Sequence, residues 1–172
     1  MSPDLSIVIP TCNGLDLLRE NLPSVQKAAQ FYHLRTGCMT EIIVVDDGSD
    51  DHTGEIARKA GAEVLRNPIP NGYGNAIKKG ILHSKYDLLA ITDADGTYSG
   101  QDFPKLYHAV TEEGFPMAIG TRTGTVYQGG LIKRIGRLIF RVLVEFTCGR
   151  KIPDVNTGMR IFRKRDVMSF LD

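Results

Sequence analysis

Cysteine is scarce in this sequence: Cys12, Cys38 and Cys148 are the three among 172 residues, odd in number and far apart. They supply neither a disulfide framework nor metal-ligand spacing, and a reducing cytosol is the simplest setting for them. The four histidines show no paired spacing for zinc and read as surface or packing residues. An excess of one charge is also missing. The net charge is +1, so no overall field points to nucleic acid, and any basic partner site is local. No run of about 18 apolar residues is present, which excludes a transmembrane helix within these residues. The N-terminus lacks a signal-peptide pattern. There is no Walker A Gly-Lys-Ser/Thr, no Gly-x-Ser-x-Gly elbow and no Ser/His/Asp order. Internal repeats and low-complexity segments are absent too.

What is there fits one soluble globular domain. Apolar residues make up 42% and charged residues 24%, within a length suited to a single core. We expect one domain over residues 1–172. Its last residues, Val167 to Asp172, read as a helix just under way, so truncation at the C-terminus is expected.

Strands and helices alternate. Strands are expected at Leu5–Pro10, Glu41–Asp46, Ala62–Arg66, Asp87–Thr92, Met117–Thr121 and Met159–Phe162. The four apolar residues Ile42 to Val45 in a row suggest burial on both faces, as in a parallel sheet. Helices are expected from Leu15 to about Phe31, with a kink or break at Pro23, and over about Thr53–Ala60 with Gly61 as its cap. Further helices are expected over Tyr73–His83, about Gln101–Glu113 and Leu131–Cys148, with another starting near Lys164. The pattern predicts an open, mostly parallel α/β sheet, whose ligands sit beyond the carboxyl ends of the strands. Thr11-Cys12-Asn13, Asp46-Asp47 and Asp93-Ala94-Asp95 all fall at such ends.

Asp93 and Asp95 follow the apolar run Leu88–Ile91 and share one side if the chain stays extended. Paired carboxylates at this distance need a cation, a proton or solvent. The motif fits a solvated turn, or a site where Mg²⁺ or Mn²⁺ bridges to phosphate oxygens. Asp46 and Asp47 fit a turn before a helix, or acceptors for the ribose or ring donors of a nucleoside. The two glycines of Gly72-Tyr73-Gly74 let backbone approach a nucleotide, although Ile77 stands where a dinucleotide fingerprint has Gly or Ala. Arg122, after Gly120-Thr121, offers a fork for phosphate or is an ordinary exposed arginine. Leu131, Ile135, Leu138, Val142, Leu143 and Phe146 share one helical face, and Lys133, Arg134, Arg137 and Arg141 the other. Such a helix either faces the core with a solvated basic side or lies on an anionic membrane surface.

Five ordered motifs go together: Ile7-Val8-Ile9-Pro10-Thr11-x-Asn13, Glu41–Gly48 with Ser49-x-Asp51-x-Thr53, Asp93-Ala94-Asp95, Gly120-Thr121-Arg122 and Thr157–Phe162. In these the chain resembles glycosyltransferase family 2, and within it the dolichol-phosphate mannosyltransferase type that glycosylates polyprenyl phosphates. The resemblance implies a GT-A fold, a Rossmann-like three-layer αβα domain. It also implies a UDP- or GDP-sugar donor, a Mg²⁺ or Mn²⁺ cofactor and transfer with inversion. Pro10, Thr11 and Asp46 match the nucleoside-holding positions, and Asn13, Asp47, Gly72 and Ala94 join them in the donor site. Asp93 and Asp95 match the metal-binding DxD pair, with Asp95 the more direct ligand. Arg122, Lys133 and Arg134 resemble positions that hold donor and acceptor phosphates, and Asp154 an acidic residue near the acceptor. Arg122 and Asp154 are the candidate catalytic residues. Cys12, Gly14 and Thr97 replace the Tyr, Glu and Gln of many relatives.

A polyprenyl phosphate acceptor needs positioning more than deprotonation, because a phosphate monoester has its second pKa at about 6. The expected setting is the cytoplasmic face of a membrane. Alternatives are an enzyme that extends a surface glycan or polysaccharide, and an inactive nucleotide-sugar-binding domain.

Overall fold

The computed structural model describes residues 3–93, 95, 96, 98, 102–121, 142–147, 149 and 157–171. Its framework is a six-stranded sheet. The strands are β1 (Leu5–Thr11), β2 (Thr40–Asp47), β3 (Glu63–Asn67), β4 (Leu88–Ile91), β5 (Met117–Ile119) and β6 (Arg160–Arg163), in the order β3-β2-β1-β4-β6-β5. β3, β2, β1 and β4 pair in parallel, while β6 runs antiparallel to both its neighbours. The expected mostly parallel sheet is therefore present, with one reversed strand inserted between β4 and β5.

Helix α1 spans Leu15–Thr36, α2 Thr53–Lys59, α3 Tyr73–His83 and α4 Phe103–Thr111. They cover the sheet on both faces. Ile7, Ile9, Val44 and Ala90 pack with Leu18 and Leu22 of α1, Ala57 of α2 and Val110 of α4. Val8, Ile43, Val45, Leu89 and Ile91 pack with Ala76 and Ile81 of α3. Alternate side chains of one strand thus enter opposite cores, which is why β2 is apolar at every central position. The arrangement is three layers, α/β/α.

Two local readings change. Pro23 does not end α1, which continues to Gly37, where a left-handed φ of 71° lets the amide bond His33 O at 2.8 Å. The helix outlasts its apolar period because Phe31 and Leu34 are exposed and carry no core signal. Of the expected Leu131–Cys148 helix, residues 142–147 are described and are helical. Their Val142, Leu143 and Phe146 are exposed, so these residues do not face the core.

α3 lies close on the sheet at Gly80, where a Cβ would overlap Val8 Cγ1 and stand 3.1 Å from Val45 Cγ2. Gly80→Val should therefore cost about 2 kcal/mol or more through overpacking. Urea unfolding checks this, and a midpoint equal to wild type would contradict such close packing.

Candidate active site

The carboxyl ends of β1 and β2 lie side by side, with Thr11 paired to Asp46. The loops that follow are laced together. Asn13 N donates to Ser49 Oγ at 2.9 Å, and Asp50 N donates to Asn13 Oδ1 at 2.9 Å. Asn13 adopts a left-handed φ of 49°, which asparagine tolerates better than most residues. Gly14 N donates to Thr53 Oγ1 at 3.0 Å, and Leu15 N to Asp51 Oδ2 at 3.3 Å. The other oxygen of Asp51 accepts from Thr53 N at 2.9 Å and from the Thr53 hydroxyl. One carboxylate thus satisfies amides at the starts of α1 and α2, where orphan donors and the helix dipoles favour negative charge. Burial pushes the Asp51 carboxyl up, but the Thr53 and Leu15 bonds outweigh it and leave it below the ordinary range.

Asp46 is 1% exposed. Its Oδ1 accepts from Ser49 N at 3.0 Å, and its Oδ2 lies 3.7 Å from Arg66 Nε. Gly54 makes room for it, since a Cβ there would stand 2.8 Å from Asp46 Oδ2. Asp47 turns the other way. Its Oδ1 accepts from Asn67 Nδ2 at 2.6 Å and Asn71 N at 2.9 Å, and its Oδ2 from Gly72 N at 2.8 Å. The bond from Asn67 holds its carboxyl below the ordinary range against the opposing effect of burial, with the two amides adding to it. Asp47 therefore secures the loop that leads into α3. Gly72 sits at φ 91°, a conformation that favours glycine.

Asp93 lies two residues past the end of β4, half-buried, and Asp95 is exposed. The Tyr73 hydroxyl, from the first residue of α3, donates to Asp93 Oδ1 at 2.8 Å. Burial, then the Asp93 charge, raises the pKa of the Tyr73 phenol, so it stays a donor. Beneath Asp93 runs the entry to β6. Gly158 N donates to the Tyr98 hydroxyl, and the Thr157 hydroxyl donates to Gly120 O. Gly120 N donates to Met159 O at 2.9 Å. The two flanks of the segment between Thr121 and Thr157 are thereby joined beside the acidic pair.

The structure brings Pro10, Thr11, Asn13, Asp46, Asp47, Gly72 and Asp93 to the carboxyl edge of the sheet, and Asp95 is an exposed residue in the loop that leaves it. Ala94, Arg122, Lys133, Arg134 and Asp154 lie outside the described residues. The sequence alone does not single out Tyr73, Gly54, Asp51 or Gly158 as site residues. The two glycines around Tyr73 and the Thr157-Gly158 pair were visible as motifs, but not what they touch. The edge is strongly negative: slight burial and then the charges of Asp47, Asp46, Asp50 and Asp51 raise the pKa of the exposed Cys12 thiol. Among the described residues no three His, Cys, Asp or Glu side chains group as metal ligands. A hard cation held by Asp93 and Asp95 would need substrate phosphates to complete its ligand set.

A mostly parallel sheet with acidic side chains gathered at its carboxyl edge is the architecture of GT-A glycosyltransferases. Residues 6–170 match the family described as Glycosyl transferase family 2, and the chain belongs to that family. It is 32% identical over 162 residues to a dolichyl-phosphate hexose transferase of Haloferax volcanii, covering 94% of this chain and 67% of that protein. It is 31% identical over 173 residues to an undecaprenyl-phosphate 4-deoxy-4-formamido-L-arabinose transferase of Edwardsiella ictaluri, covering 97% and 51%. The chain spans about half to two thirds of the length of these relatives. In fold it is similar to mannosyl-3-phosphoglycerate synthase from Rubrobacter xylanophilus, with TM-score 0.70 and 21% identity over 94% of this chain and 53% of that one. A mannosyltransferase from Pyrobaculum calidifontis, solved with GDP-Man and Mn²⁺, gives TM-score 0.67 and 19% identity over 99% and 47%.

Both Asp47 and Asp51 have folded-state pKa values below their unfolded ones. Their stabilisation is present above the unfolded value of about 3.9 and is lost as pH falls through the folded values. Asp47→Asn should cost about 1–3 kcal/mol at neutral pH, by weakening bonds to three donors. The gap from wild type should shrink below about pH 4. Denaturant unfolding across pH checks both points, and a gap that widens in acid would contradict the assignment.

Proposed function

We propose that the chain is the catalytic domain of an inverting glycosyltransferase that moves a sugar from a UDP- or GDP-sugar to a polyprenyl phosphate, with Mg²⁺ or Mn²⁺ at Asp93 and Asp95. The observation that carries this reading is the shared carboxyl edge of β1, β2 and β4, where Asp46 and Asp93 stand on the two strands that flank β1. Pro10, Thr11 and Asp46 form the floor for the nucleoside, with Asn13 and Asp47 holding the loops around it. The acceptor oxygen attacks the anomeric carbon as the bond to the nucleoside diphosphate breaks. Asp93 and Asp95 would hold the divalent cation, which when bound would supply neutralisation of charge on the diphosphate. Arg122, Lys133 and Arg134 are assigned to donor and acceptor phosphates, and Asp154 to the acceptor side.

The acceptor class is supported by the two relatives, whose names carry dolichyl phosphate and undecaprenyl phosphate. A membrane face for the 131–148 segment is supported by Val142, Leu143 and Phe146, the last 88% exposed. No described helix is long and apolar enough to cross a membrane. We place the reaction at the cytoplasmic face.

Thermal-shift titration with UDP, GDP and their sugars should show stabilisation that Mn²⁺ or Mg²⁺ enhances. Asp95→Ala should lose the metal-dependent part and keep the rest. Equal shifts with and without metal would remove the cation from the reading. With polyprenyl phosphate supplied, radiolabelled sugar should enter an organic-extractable, acid-labile product. Transfer only to soluble saccharides would point instead to a glycan-extending enzyme.

A further inference from the structure

The Asp93 carboxylate is fixed from two directions by residues the activity does not by itself require. On one side the Tyr73 hydroxyl donates to Oδ1 at 2.8 Å. Tyr73 is 48% exposed, so its place is not set by burial in a core. It is set by the start of α3, where the preceding Gly72 N is bonded to Asp47 Oδ2 at 2.8 Å. On the other side a Cβ on Gly158 would overlap the carboxylate, falling 2.9 Å from Oδ1 and closer still to Oδ2. Gly158 does not have the left-handed φ that would itself call for glycine. It cannot move back freely, because its amide is tied to the Tyr98 hydroxyl and the adjoining Thr157 hydroxyl to Gly120 O.

Building on the functional reading above, we propose that Tyr73 is a positioning residue that, with the space left by Gly158, holds the Asp93 carboxylate in place for a divalent cation. A phenol suits this task. It donates one hydrogen bond and carries no charge, so it orients the carboxylate without neutralising it or competing with the cation. A lysine or arginine there would do both. The arrangement also joins three strands at the site: β2 through Asp47 and the start of α3, β4 through Asp93, and β6 through Gly158.

The test is Mn²⁺ titration of the wild-type chain and Tyr73→Phe, followed by electron paramagnetic resonance of free Mn²⁺, with UDP or GDP present. Tyr73→Phe keeps the ring and removes the donor. We expect its Mn²⁺ affinity to fall by roughly tenfold to a hundredfold, as loss of a hydrogen bond to a charged group implies. Nucleotide affinity without metal should stay unchanged. Equal Mn²⁺ affinity in the variant overturns the role of Tyr73. The role of Gly158 is tested by thermal unfolding of Gly158→Ala, alone and combined with Asp93→Ala. The alanine should lower the melting temperature alone and lower it much less once the carboxylate is gone. Additive effects overturn the role of Gly158. If wild type shows no Mn²⁺-dependent nucleotide binding, the functional reading itself fails, and the cation role with it. If wild type binds and Tyr73→Phe matches it, only this inference fails.

Discussion

Carboxylates at and just past the ends of buried strands need donors, and in this chain many of those donors are backbone amides of the neighbouring loops. Asp46 takes the amide of Ser49, Asp47 those of Asn71 and Gly72, and Asp51 those of Leu15 and Thr53. Each bond offsets part of the desolvation that burial imposes. Each also ties a loop to a strand end. The acidic edge is therefore both the feature that needs support and the scaffold that supplies it. Removing one acid frees a loop as well as a charge.

This arrangement follows from the sheet. Parallel pairing of β1 with β2 and β4 places three carboxyl ends at one edge, and covering both faces with helices leaves that edge as the place where loops converge. The two acids of the second strand then divide their work. Asp46 lies beside Gly54 and Arg66, while Asp47 fastens the entry to α3. Through that entry the first acid of the β4 loop is reached by Tyr73. The ends of β2 and β4 are joined in this way by short, directional bonds.

Much of the architecture was legible in the sequence because it rests on local patterns. The unbroken apolar run of β2 indicated a sheet buried on both faces, and α3 occupies Tyr73–His83, where a helix is expected. What stayed hidden depends on partners distant along the chain. Asp47 meets Asn67 and Gly72, 20 and 25 residues away, and no spacing rule announces such bonds. β6 was visible as a strand, but its reversed insertion between β4 and β5 is a matter of pairing and not of composition. Gly158 looked like part of a motif, and only the carboxylate lying over it shows why a side chain is excluded. The apolar face of residues 142–147 could be read from its period, but a period does not say what covers the face. In the structure Val142, Leu143 and Phe146 are exposed.

The central claim is that donor diphosphate and cation meet at the carboxyl edge of the sheet. Paramagnetic broadening of amide resonances by Mn²⁺, in the presence of UDP or GDP, tests it most directly. The account predicts broadening at Thr11, Gly72 and Gly158, which flank the acidic loops, and none at Ala62 and Ser84, at the opposite ends of the strands. Broadening centred on Ala62 and Ser84, or on no part of the edge, would contradict it.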